Sequence, residues 1–145
     1  SEAAELLENP KIIVPNFVIV SDNPDKPGRL TSIESIAKNE AIFDVSPESF
    51  TDLEAILMNA GTILWNGPLG FFEKENFDKG TIKIAKMICS SKGFSVAGGG
   101  DTIAAAQKAG VLGKLDYVST AGGAFLEFME GRKLPGVEAL RDKVN

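Results

Sequence analysis

Three glycines in a row followed by an acid and a hydroxyl, Gly98-Gly-Gly-Asp-Thr, are the residues of this chain best suited to chemistry. They follow a short apolar run, Ser95, Val96 and Ala97, and precede Ile103, Ala104, Ala105 and Ala106. The reading is a buried strand, a glycine turn and a helix opened by Asp101 or Thr102. Glycine has no Cβ, so the turn can take positive φ and let another group approach the backbone. The first amides of a helix have no partner within it, and the helix start carries partial positive charge. Such a turn suits an anion, phosphate above all. The spacing matches neither G-x-G-x-x-G nor G-x-x-x-x-G-K-[ST]. The plain alternative is a tight strand-to-helix turn with Asp101 as the cap.

Two other turns have a similar character. Asn66-Gly-Pro-Leu-Gly follows Thr62-Ile-Leu-Trp, and Thr120-Ala-Gly-Gly follows a strand over Lys114 to Ser119. Helices are expected after each: one from Asp78 or Thr81 through Ile84, Ala85 and Ile88, and one burying Phe125, Leu126 and Met129. The alternation of strands and helices predicts an α/β fold, a parallel sheet with helices on both faces in a Rossmann-like three-layer arrangement. Ligands of such sheets bind at the carboxyl ends of the strands. The three glycine-bearing turns share that edge, which favours a phosphate-bearing ligand.

The elements before these are less regular. Ser1 to Asn9 reads as a helical tail stopped by Pro10, and its abrupt start as a cut. Lys11 to Val20 reads as a buried strand, or two short ones bent at Pro15. Ser21 to Arg29 is a loop, Leu30 to Ile36 an edge strand, and Ala41 to Val45 a short apolar stretch. Ser46-Pro-Glu starts a helix through Phe50, Leu53, Ile56, Leu57 and Ala60, with Gly61 ending it. Leu134 to Leu140 is a terminal segment with room for one helical turn.

The 145 residues suffice for one core, and 43% hydrophobic with 24% charged residues is ordinary for a soluble protein. A net charge of −5 argues against a nucleic-acid surface. No apolar run is long enough to span a membrane, and no secretory leader is visible. Cys89 is the single cysteine, which permits no internal disulfide and fits a reducing cytosol. Histidine is absent, so the commonest general base is missing. Trp65 is expected in the core, Cys89 to be inert, and Met58, Met87 and Met129 to fill core space.

Taken together, Trp65-Asn-Gly-Pro-Leu-Gly-Phe-Phe-Glu, Gly98-Gly-Gly-Asp-Thr, Ser119-Thr-Ala-Gly-Gly-Ala-Phe-Leu-Glu and Leu134-Pro-Gly-Val-Glu-Ala-Leu resemble phosphoglycerate kinase in order and spacing. Asp44-Val-Ser-Pro-Glu-Ser resembles that family's D-x-G-P-x-S/T stretch, and Val14-Pro15 its strand ending in L/V-P. The resemblance implies transfer of a phosphoryl group between 1,3-bisphosphoglycerate and ADP, giving 3-phosphoglycerate and ATP, with Mg2+. It implies that residues 1–145 are part of the C-terminal, nucleotide-binding domain. The triose-phosphate domain and some lysines near the transferred phosphate would then be absent. The parent would be a cytoplasmic monomer. The fragment would be inactive alone, and would tend to pair or aggregate through an exposed sheet edge.

By the same resemblance, Gly98, Gly99, Gly100, Asp101 and Thr102 form the nucleotide phosphate loop. Asp101 engages the Mg-nucleotide, and Thr102 offers a hydroxyl and an amide. Glu73 bonds the ribose, Asn66 and Pro68 contact the nucleotide, and Phe43 lies against adenine. Gly100, Gly122 and Gly123 present amides to the phosphoryl group in transit. Ala121 stands where the family has a glycine, as does Ser46. Two other functions compete: a module that only binds nucleotide, and a folded but inert piece. A dehydrogenase domain is more distant, since its glycine fingerprint is missing.

Overall fold

The structure is a computed structural model that describes residues 2–141. Ser1, the head of the expected helical tail, lies outside them. The rest of that tail is α1 (Glu2–Leu7), exposed throughout.

The first half builds a sheet that the alternation of strands and helices did not foretell. β1 (Phe17–Ser21), β2 (Arg29–Ser32) and β3 (Ala41–Val45) are antiparallel in the order β2-β1-β3. The long strand expected from Lys11 shrinks to β1. Ile12, Ile13 and Val14 are exposed and unpaired with any strand, whereas Val18 and Val20 are buried. Pro15 donates no hydrogen bond, and the chain joins the fold at Phe17, whose amide donates to Ser49 Oγ at 2.8 Å and whose carbonyl accepts from it at 2.8 Å. The expected edge strand from Leu30 likewise ends at Ser32, where a 3-10 turn, Ile33–Ser35, takes over.

Ser46 caps as its type predicts, accepting from the Glu48 amide at 3.3 Å with Pro47 in the first turn. That turn is 3-10, Pro47–Phe50, and continues into α2 (Thr51–Asn59). β4 (Thr62–Asn66), β5 (Phe94–Gly98) and β6 (Tyr117–Ser119) then form the expected parallel sheet, in the order β4-β5-β6. α3 (Lys79–Ser90) and α4 (Gly100–Lys108) make the two crossovers and pack on one face. Alternation on β4 turns Ile63 and Trp65 into that layer, against Ile84, Ala85, Ile88, Ala105 and Ala106. Trp65 is core, 5% exposed, and its Nε1 donates to Gly67 O at 2.8 Å.

The other face is covered by α5 (Gly123–Met129) at one point: a Cβ on Gly98 would stand 2.6 Å from Phe125 Cε1. Phe125 is therefore half-buried, but Leu126 and Met129 are exposed, Met129 at 57%, against expectation. α5 has only seven residues. Met58 is also at the surface, whereas Met87 does fill the core. The terminal segment is a short helix, α6 (Pro135–Arg141).

Asp44 joins the two halves. Its side chain is 0% exposed, with Oδ1 accepting from the Val45 amide and Oδ2 from the Gly80 amide, each at 2.9 Å. Burial pushes its carboxyl up to about 6, the Gly80 and Val45 amides pull the other way, and the Asp78 charge adds to the rise. Between the ordinary value of 3.8 and about 6 the native state holds more protons than the unfolded one. Unfolding free energy should therefore fall as pH rises through that window, and Asp44→Asn should flatten the slope in urea melts. Asp116, held below its usual range by the Ser95 amide and hydroxyl, acts in the opposite sense and at lower pH.

Candidate functional site

The glycine turn after β5 has the conformation its composition suggests. Gly99 takes φ 96° and ψ 143°, closed to other residue types, and stands in the cap position of α4. The helix begins at Gly100, so Asp101 lies inside the first turn and makes no capping bond. The alternative of Asp101 as a mere cap is overturned. The first helical bond runs from the Ile103 amide to Gly99 O at 3.1 Å. The amides of Gly100, Asp101 and Thr102 donate to nothing among the described residues. The Asp101 side chain is exposed and, among the described residues, forms no ion pair. Thr102 is 1% exposed, and its hydroxyl accepts from the Gly67 amide at 2.7 Å. That hydroxyl thus ties α4 to the neighbouring loop, while the Thr102 amide belongs to the unpartnered set.

The loop from Asn66 to Phe71 is built differently. Asn66 Nδ2 donates to Gly98 O at 2.8 Å, across paired strand ends. The amides of Gly67, Leu69 and Phe71 donate to Thr102 Oγ1, to Thr81 Oγ1 at 3.1 Å and to Phe43 O at 2.7 Å. Pro68 has no amide to offer. The amides of Gly67, Leu69 and Phe71 are therefore committed to α4, α3 and β3, and they fix the loop as a wall joining these elements.

That wall borders an open depression of about 420 Å³ lined by Ile42, Phe43, Pro68, Leu69, Gly70 and Phe71. The Phe43 ring stacks on Phe77 at 4.8 Å and faces Phe71 at 6.4 Å, with interplanar angles of 27° and 29°. Flat, apolar walls of this kind suit an aromatic ring. Glu73 follows Phe71 by two residues and is exposed. Its turn is held by Lys108 Nζ, which donates to Phe72 O at 2.6 Å and pairs with Asp78 at 2.8 Å. The sequence reading placed Phe43 and Pro68 in the same contact set, and the structure brings them into one depression. It missed Leu69 and Phe71 as lining residues, although the Phe71-Phe72 pair beside the glycines was the available signal.

The third turn follows β6. Gly122 takes φ 56° and ψ −132° and precedes the first residue of α5, Gly123. Among the described residues only glycines have positive φ, so Ala121 is unstrained where the family has glycine. Ser46, at φ −67°, likewise replaces a glycine without strain. Gly98 pairs in register with Ser119, and Phe125 lies over Gly98, so the second and third turns sit side by side.

Unpartnered helix amides at the carboxyl edge of a parallel sheet, beside an apolar depression, define an α/β domain suited to a phosphorylated aromatic ligand. Comparison with known proteins is more specific. A family model for phosphoglycerate kinase matches residues 1–132. A phosphoglycerate kinase from Coxiella burnetii superposes with a TM-score of 0.84 at 43% identity, over 94% of this chain and 35% of that one. One from Pyrococcus horikoshii OT3 superposes with a TM-score of 0.82 at 36% identity, over 97% of this chain and 35% of that one. The chain belongs to the phosphoglycerate kinase family, and it spans about a third of the length of these relatives.

Proposed function

We propose that this chain is the ADP/ATP-binding part of a phosphoglycerate kinase. The observation that carries the reading is the set of three unpartnered amides, Gly100 to Thr102, set beside the Phe43–Phe71 depression. Phosphates lie on the amides of Gly99 to Thr102 and the base lies in the depression, walled by Phe43 and Pro68. Asn66 lines the path between them, and Glu73 bonds the ribose hydroxyls.

An exposed carboxylate beside a phosphate repels it unless a cation stands between them. Among the described residues no three acids or thiols cluster to form a metal cage of their own. The donor set thus fits Mg2+ carried by the nucleotide, with Asp101 as its protein carboxylate, supplying charge neutralisation of the phosphate oxygens.

In the whole protein the reaction is transfer of a phosphoryl group between 1,3-bisphosphoglycerate and ADP. Such transfer requires positioning and stabilisation of spreading negative charge. The amides of Gly100, Gly122 and Gly123 face the group in transit. The carboxylate released from 1,3-bisphosphoglycerate is a good leaving group, so the absence of histidine is no obstacle. The triose phosphate is held by parts of the longer protein beyond this segment, so the chain alone binds nucleotide without turning over. No described helix is long and apolar enough to cross a membrane, and a cytosolic monomer as the parent accords with this reading.

Calorimetric titration tests it. MgADP should bind more tightly than metal-free ADP, and Asp101→Ala should lower the MgADP affinity about tenfold or more and erase that difference. Absence of heat at millimolar MgADP, with a cooperative melt retained, would contradict the reading.

A further inference from the structure

Asp44 touches no part of the ligand as placed above, yet the base end of the site is built around it. Its carboxylate takes the Gly80 amide, the second residue of α3. Gly70 presses on it so closely that a Cβ there would enter the carboxylate and stand 2.7 Å from Phe43 O. One residue to either side, Phe43 O and the Phe71 amide close a 2.7 Å hydrogen bond. Phe43 and Phe71 are the two aromatic walls of the depression. The spacing of the walls thus depends on the same contact that seats Asp44 against α3. A buried carboxylate held between two glycines is a costly way to build a merely structural joint.

We propose that Asp44 is a positioning residue for the base end of the nucleotide site, setting the separation of Phe43 and Phe71 through Gly70 and the start of α3. This rests on the nucleotide reading above. Its raised pKa, about 6, makes the joint observable in the unaltered protein. The charged group that bears on it is Asp78, itself paired with Lys108 at 2.8 Å, and Lys79 at the start of α3 turns its amide toward the carboxylate; the turn beyond Phe71 carries Glu73 and Lys74, of which Lys74 pairs with Asp25. β1, its strand neighbour, carries no charge.

Two measurements decide the matter. In a pH titration of the 145-residue chain followed by amide NMR, the Gly80 and Phe71 amides should shift together, with a midpoint near 6. Movement of Gly80 with Phe71 still, or of neither, overturns the proposal. In calorimetry, Asp44→Asn should weaken MgADP about tenfold and leave Mg-pyrophosphate, which has no base, unchanged. Equal loss for both probes, or no loss for MgADP, also overturns it. If the unaltered chain binds no MgADP, the nucleotide reading fails, and the NMR titration, which needs neither ligand nor variant, still decides whether Asp44 controls the Phe71 wall.

Discussion

Gly99→Ala should reduce MgADP affinity by about two orders of magnitude or more while leaving a folded chain. The backbone at this position, φ 96° and ψ 143°, is open to glycine alone. A methyl group would also stand 3.3 Å from Asn66 Nδ2 and 3.5 Å from Thr102 Oγ1, the two side chains that join this turn to the Asn66 loop. Relief of that strain requires the turn to rotate, which re-aims the amides of Gly100, Asp101 and Thr102. Gly100→Ala is the matching control for the fold. Nothing lies within 4 Å of a Cβ there, and the position is the first of a helix. It should keep or slightly raise the melting temperature, since alanine restricts the unfolded chain. A Gly99→Ala chain with unchanged affinity would show that the turn is not the phosphate site.

Gly80→Ala should act on stability. A Cβ at Gly80 would collide with Val45 O and stand 2.6 Å from Asp44 Oδ1. The colliding partners are backbone and a buried carboxylate, so no flexible side chain can move aside. The expected cost is about 3 kcal/mol, a fall in melting temperature of about 10 °C for a chain of this size. The glycine is needed because α3 must approach β3 closely enough for its amide to reach Asp44 Oδ2. Gly113→Ala, on a 3-10 turn with open space around it, should have little effect in the same melt. Equal melting of the Gly80→Ala and unaltered chains would contradict this role for Asp44.

The parallel half of the fold was legible because its signals are local. Thr62-Ile-Leu-Trp alternates, Asp78 stands where α3 starts, and the glycines after Ala97 mark a strand-to-helix turn. The antiparallel sheet was not legible, because Phe17 pairing with Ser32 and Val18 with Val45 depends on partners that no local pattern names. Phe125, Leu126 and Met129 have helical spacing, but only Phe125, over Gly98, finds a covering neighbour, and spacing alone cannot reveal that. The phosphate turn could be read from three glycines. The aromatic depression could not, since Ile42 and Phe43 lie 25 or more residues before Pro68 to Phe71 and meet them only in the folded chain, through the Phe71–Phe43 hydrogen bond, the facing rings and the close approach of Gly70. Thr102 shows a subtler limit: its type suits phosphate, but its hydroxyl also serves the Gly67 amide.

The measurement closest to the central claim is an amide NMR titration of the chain with MgADP. The nucleotide reading predicts shifts in two groups, Gly99 to Thr102 at the start of α4 and Phe43 with Leu69 to Phe71 around the depression. Inorganic pyrophosphate with Mg2+ should move the first group alone. Shifts absent from both groups at millimolar MgADP, or gathered elsewhere on the chain, would contradict it.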